Sequence, residues 1–396
     1  MEFYKVKNTV NSDNVIVVDD MFLTKDLPTT AGSKMLEGFK SLFNAEVLEK
    51  LYANGYVLGG KAKVGEFAFD LLGETDYSGK LFDGKLISAS AEILKNDNVK
   101  AVIGLDVNGS IRRASAQNGL VSVKPTYGTV SRYGTVPVAC SGETVSVSAT
   151  TPDNAIDVLK AIIGHDDKDG TSLPQDVIDS VFAEDKKVKK VAVIKSMLNS
   201  INADVEEKIS ATVNALKQAG VEVEYVDSEI IPLSNLAWNV LMSAELCNNV
   251  SRYDGVKYGY RASDFTNLDE LYTFSRTQSF GKVLKTAILY GSETLSTANY
   301  KKVYDKSLRM RRVIKEEFDK LFANFDAVIM PACSTYAYGE EFIKDEYVCY
   351  KENFYTAPSS ITGLPAVVCA GVQFVGKPYY ENALLNLAKV IVKEGE

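Results

Sequence analysis

Histidine occurs once in the 396 residues, at His165, and that scarcity excludes more than any other feature of the composition. Histidine is the usual general base beside a serine nucleophile and the usual zinc ligand, so a Ser-His-Asp triad or a multi-histidine metal site would have to rest on this one residue. It lies in the polar run Gly164-His165-Asp166-Asp167-Lys168-Asp169-Gly170 after a helical pattern, where a loop or capping role is expected. The five cysteines, Cys140, Cys247, Cys333, Cys349 and Cys369, are odd in number, widely separated and without a C-x-x-C pair. That spacing argues against a disulfide framework, a zinc knuckle or thiol exchange, and for reduced thiols in a cytoplasm. No run reaches the ~18 apolar residues of a membrane span, and the first residues, Met1 to Lys7, lack the apolar core of a signal peptide. A formal charge of −8 leaves little reason to expect direct binding to nucleic acid or to anionic lipid.

What is present is ordinary globular material, 46% hydrophobic and 24% charged. Strand-like runs at Asn14–Val18, Tyr56–Leu58, Lys100–Leu105, Lys190–Ile194, Val221–Val226, Asp326–Met330 and Ala366–Cys369 alternate with helical patterns. The alternation predicts an α/β fold with a mixed β-sheet core flanked by helices. Thr151 and Pro152 mark the start of a helix over Asp153–Ile163, Gly220 closes one over Ala203–Ala219, and long helices are expected from Leu233 to Phe322. The chain reads as a single domain, residues 1–396, with the charged stretch 184–190 as the place for a subdomain junction.

The stretch that suggests chemistry is Gly104-Leu105-Asp106-Val107-Asn108-Gly109-Ser110-Ile111-Arg112, followed by a short helical pattern that Asn118-Gly119 would close. A strand, a glycine turn, a serine and a helix make a sensible nucleophile mount, because N–H groups at the turn and the helix start converge on an oxyanion. An N-G-S tripeptide alone is also an ordinary turn.

Context carries the reading further. Lys124-Pro125-Thr126-Tyr127-Gly128-Thr129-Val130-Ser131-Arg132-Tyr133-Gly134 follows at the spacing found in the amidase signature family, and resembles in particular the A subunits of tRNA-dependent amidotransferases. The resemblance extends to Leu27-Pro28-Thr29-Thr30-Ala31-Gly32-Ser33-Lys34-Met35-Leu36, Gly60-Lys61, Glu66-Phe67-Ala68, the run from Arg252 to Arg261, Gly363-Leu364-Pro365 and Gly376-Lys377-Pro378. It implies the amidase-signature fold, no cofactor or metal, B and C subunits as partners, and an amide such as glutamine as ligand. It also implies a Ser-Ser-Lys centre: a nucleophilic serine, a second serine in a cis peptide that relays a proton, and a lysine base.

On those positions the sequence departs from the pattern. Ser110 matches the nucleophile, but the V-K-D lysine position reads Val18-Asp19-Asp20, so the base falls on Asp19. A carboxylate at its ordinary pKa of ~3.9 is a weak base for a serine hydroxyl. The glycine-rich relay motif is replaced by Leu86-Ile87-Ser88-Ala89-Ser90-Ala91, in which Ser88 is the relay candidate by position and Ser90 is expected to be a helix N-cap. The oxyanion turn is Val107, Asn108 and Gly109, with Asn108 in place of a glycine. The arginine and aspartate that hold glutamine in the A subunits fall on Lys285-Thr286-Ala287-Ile288 and on Asn353. Lys25 reads as an exposed loop residue, and Lys61 and Lys124 as structural partners. Relative to the family the chain is shortened ahead of its first strand. Two readings follow: a catalytically impaired paralogue acting as scaffold or partner subunit, or an active glutaminase supplying ammonia for amidation of Glu-tRNA(Gln) or Asp-tRNA(Asn).

Overall fold

The computed structural model describes residues 2–182, 186–345 and 347–395. Eleven strands form one sheet, in the order Tyr4–Lys7, Val57–Ala62, Val15–Asp19, Ala101–Asp106, Thr144–Ala149, Val121–Lys124, Ala366–Cys369, Val372–Gly376, Ala327–Pro331, Lys190–Ile194 and Glu222–Val226. Helices pack around it, which is the mixed α/β architecture expected. The all-apolar runs Val15–Val18 and Ala101–Ile103 form the interior of the sheet because a strand covered on both faces has no solvent side to pattern with polar residues.

Strand positions follow the sequence reading to within a few residues, and Lys190–Ile194 and Ala366–Cys369 match it. Four further strands, Tyr4–Lys7, Val121–Lys124, Thr144–Ala149 and Val372–Gly376, complete the sheet; Val121–Lys124 and Thr144–Ala149 alternate valine with serine, a period-2 signal not counted among the expected strands. The stretch Cys369-Ala370-Gly371-Val372 is a tight hairpin in which Ala370 and Gly371 take φ of 50° and 84°, the left-handed pair that a two-residue turn between twisted strands requires. Thr151 caps Pro152–Ile162 by accepting the Asn154 N–H at 3.2 Å, and the long helices Ser234–Val250, Leu268–Ser279, Lys282–Leu295 and Asp305–Phe322 fill the predicted region. No described helix is long and apolar enough to cross a membrane. Within the stretch 184–190, residues 184 and 185 lie outside the described residues; Lys190 opens a strand of the common sheet.

The sheet places the candidate residues. Val15–Asp19 and Ala101–Asp106 are parallel neighbours, paired Val18 to Ile103, so their carboxyl ends emerge side by side. Asp19 ends the first strand, and the second leads through Val107 to Ser110.

Candidate active site

Ser110 opens the helix Ser110–Gln117, with Asn118 as its C-cap. Gly109 turns the chain with φ of 90°, and a Cβ there would stand 2.4 Å from the Thr356 side chain, so both conformation and space demand glycine. Two consecutive arginines, both fully buried, fix this helix. Arg112 pairs with Asp106 through Nε and Nη2 at 2.9 and 2.8 Å and also donates to the Thr356 carbonyl, Ser359, Ser360 and Gln373. Arg113 donates to the Leu71 and Asn108 carbonyls at 2.9 Å each. Sequence reasoning gives neither arginine a role; two adjacent cations at the start of an otherwise small-residue helix are the available signal.

Asp19, Ser88 and Ser110 are brought together around one narrow cavity of about 20 Å³, room for roughly a single water. Asp19 is buried and held by backbone: Oδ1 accepts the Met21 N–H at 3.0 Å and Oδ2 the Leu105 N–H at 2.9 Å. Gly104 makes this possible, since a Cβ there would approach Asp19 Oδ2 to 2.9 Å. Burial pushes the Asp19 carboxyl up to about 7, opposed by the two N–H bonds and aided by the neighbouring Asp20. The ordinary carboxylate basicity expected from sequence is therefore corrected, because the parallel strands bury the group between them.

Ser88 is the N-cap of Ala89–Asn96, its Oγ accepting the Ala91 N–H at 3.4 Å. This corrects the assignment of the cap to Ser90, which lies inside the helix. Asn108 turns its side chain onto the turn itself: Oδ1 accepts the Ser110 N–H at 3.3 Å and Nδ2 donates to the Asp70 carbonyl at 2.8 Å. The N–H at the nucleophile position thus already has an acceptor.

Among the described residues no lysine hydrogen-bonds Ser88 or Ser110. Lys61 is buried against Asp20 at 2.9 Å and donates to Thr29 and the Pro28 carbonyl, a structural ion pair. Lys124, pushed down to about 7 by burial and by Arg112, reaches the Pro125 carbonyl at 3.5 Å. Lys63 lines the cavity while its amine donates to Ser78 at 3.3 Å, and Lys25 is exposed. Asn353 is buried beside Asn239. Lys285 donates to the Thr277 carbonyl, and His165 is an exposed loop residue bound to the Leu173 carbonyl and Asp167.

The raised Asp19 carboxyl makes stability pH-dependent. Between its ordinary value near 3.8 and about 7 the folded chain keeps a proton that the unfolded chain has released, so stability falls as pH rises through that window and levels off above it. At ~1.4 kcal/mol per pKa unit the decline amounts to a few kcal/mol. Urea denaturation at pH 5 and pH 8 should show a smaller pH difference for Asp19→Asn than for the wild type; an equal difference would place the proton elsewhere.

The sequence matches the Amidase family over residues 15–81 and 90–385. The break between the two matched stretches, 82–89, contains Ser88. The chain is 39% identical to the A subunit of the glutamyl-tRNA(Gln) amidotransferase of Staphylococcus aureus, covering 94% of this chain and 81% of that protein. Among solved structures, it superimposes on the A subunit of the Thermotoga maritima glutamyl-tRNA(Gln) amidotransferase with a TM-score of 0.79 and 25% identity, over 99% of this chain and 87% of that one. It also shares its fold with Kluyveromyces lactis urea amidolyase, TM-score 0.80 and 23% identity, over 96% of this chain and 23% of that one.

Proposed function

The chain belongs to the amidase family, and we propose that within it this protein is a non-hydrolytic counterpart of an amidotransferase A subunit, a cytoplasmic scaffold for partner subunits of the B and C kind. The observation that carries the reading is the pair of substitutions facing Ser110. A carboxylate tied to two backbone N–H groups stands where the resemblance puts a lysine base, and Asn108 Oδ1 occupies the N–H that would steady an oxyanion. A cavity of about 20 Å³ also leaves no room for glutamine beside the serine. The similarity to the Staphylococcus aureus protein over 94% of the chain supports retention of a scaffold of that kind.

One feature favours a second reading. A carboxyl near 7 is half-ionised at neutral pH, which is where a general base works best, so Asp19 with Ser110 is the arrangement that a modified hydrolase would use. Ammonia release from glutamine, asparagine and simple amides, measured for the wild type and Ser110→Ala with and without a B subunit, separates the two. The proposal expects background rates from both proteins. Turnover on the order of ~1 s⁻¹ that disappears in Ser110→Ala would overturn it.

A further inference from the structure

A second, larger cavity of 350 Å³ lies across the loop Asp70–Glu74 from Ser110. Leu72 and Gly73 of that loop line the small cavity, whereas Asp70, Leu71 and Glu74 line the large one. Phe69, Leu86, Leu284, Phe342 and Val348 give it apolar walls, and its size falls in the range of ordinary small-molecule sites.

Of the four carboxyls that line it, Asp345 is paired with Lys351, and the other three determine what the cavity can take. Asp70 and Glu74 are buried and Glu66 is partly buried. Their hydrogen bonds come from backbone and one serine: Asp70 accepts the Gly73, Glu74 and Thr75 N–H groups, Glu74 that of Leu72, and Glu66 accepts Ser33 Oγ and the Gly281 N–H. Among the described residues none of the three has a salt bridge to lysine or arginine. Burial pushes Glu66 up to about 7, and burial together with the touching Glu74 carboxyl raises Asp70 well above its usual range. Buried carboxyls with no salt-bridged cation are the condition that a bound cation relieves; Lys285, whose amine donates to the Thr277 carbonyl, acts on Glu66 only through its charge. The lysines that reach the cavity, Lys80, Lys282 and Lys344, are exposed at its mouth, where water and salt screen them. Among the described residues no arginine lines it; Thr286, from the helix segment where the resemblance expects the anchor for a substrate carboxylate, does.

We propose that this cavity binds a ligand carrying a protonated amine on a compact apolar body, with the ammonium received by Glu66, Asp70 and Glu74 and the body by the Phe69, Leu284 and Val348 walls. The assignment goes beyond the scaffold reading and does not depend on whether Ser110 hydrolyses anything. Three probes of one shape test it: phenethylamine, phenylacetamide and phenylacetate, titrated into the intact protein at neutral pH and low salt by calorimetry or NMR shifts. The amine should bind at least tenfold more tightly than the other two. Glu74→Gln should weaken it at least fivefold, and Val348→Trp, which fills the cavity, should remove it. Because Glu74 also braces Leu72, Glu66→Gln serves as an independent variant with the same expected loss, circular dichroism confirming that each variant is folded. Equal or tighter binding of the amide would mark the cavity as an amide subsite, tighter binding of the carboxylate would mean that the mouth lysines dominate, and no saturable binding of any probe would mean that it is no site; each overturns the assignment.

Discussion

Arg112→Met is expected to destabilise the fold by about 3–5 kcal/mol, the cost typical of leaving one member of a buried ion pair without the other. The guanidinium is fully buried and joins three parts of the chain: Asp106 at the end of its strand, the helix Val348–Thr362 through Thr356, Ser359 and Ser360, and Gln373 in the strand Val372–Gly376. Burial alone would raise the Asp106 carboxyl, but the charge and hydrogen bonds of Arg112 outweigh it and hold the group below its usual range. Methionine preserves the length and loses every donor, so Asp106, Ser359, Ser360 and Gln373 lose a partner together. Equilibrium urea denaturation should show a lower midpoint with an unchanged slope. The deficit should narrow as pH falls, since an unpaired buried Asp106 takes up a proton. Adding Asp106→Leu should recover part of the loss, because two apolar partners leave no orphan charge. A wild-type midpoint in Arg112→Met would show that the network adds nothing to stability.

The fold was legible because it rests on features that sequence displays directly: apolar runs for buried strands, Thr151-Pro152 and Gly220 at helix ends, and Gly109 before Ser110. The turn that mounts Ser110 was legible for the same reason. What stayed hidden depends on which groups the sheet places opposite one another. Asp19 reads as an ordinary carboxylate until the parallel pairing with Ala101–Asp106 buries it beneath the Leu105 N–H. Asn108 reads as a turn residue, and only the fold shows its amide closing over Ser110 and reaching Asp70. The cap at Ser88 was missed because Ser88 and Ser90 are both plausible helix starts and neither has a glutamate three residues on to form a capping box. Lys61 was recognised as structural, but its partner Asp20 is set by pairing of the Val15–Asp19 and Val57–Ala62 strands, far apart in sequence.

Restoring the lysine should fail, and the failure should show in stability as well as rate. In Asp19→Lys the Met21 and Leu105 N–H groups lose their acceptor, because an ammonium only donates; two buried orphans at roughly 1–3 kcal/mol each place the loss at about 2–6 kcal/mol. The longer side chain must also enter a cavity of about 20 Å³, and the adjacent carboxylate, Asp20, is already paired with Lys61. Even a well-placed amine would face a Ser110 whose N–H is bonded to Asn108 and a Ser88 used as a helix cap. General-base help is worth ~10²–10⁴ in rate, and catalytic groups that act as a unit do not return activity one at a time. Asp19→Lys is therefore expected to release ammonia from glutamine no faster than the wild type and to unfold at lower urea. Combining it with Asn108→Gly frees the Ser110 N–H but leaves the relay position capped, and should remain silent in the same assay. Ser110-dependent amide turnover in Asp19→Lys alone would mean that one substitution separates this site from hydrolysis, and that the closed cavity and the Asn108 contact yield readily to a substrate.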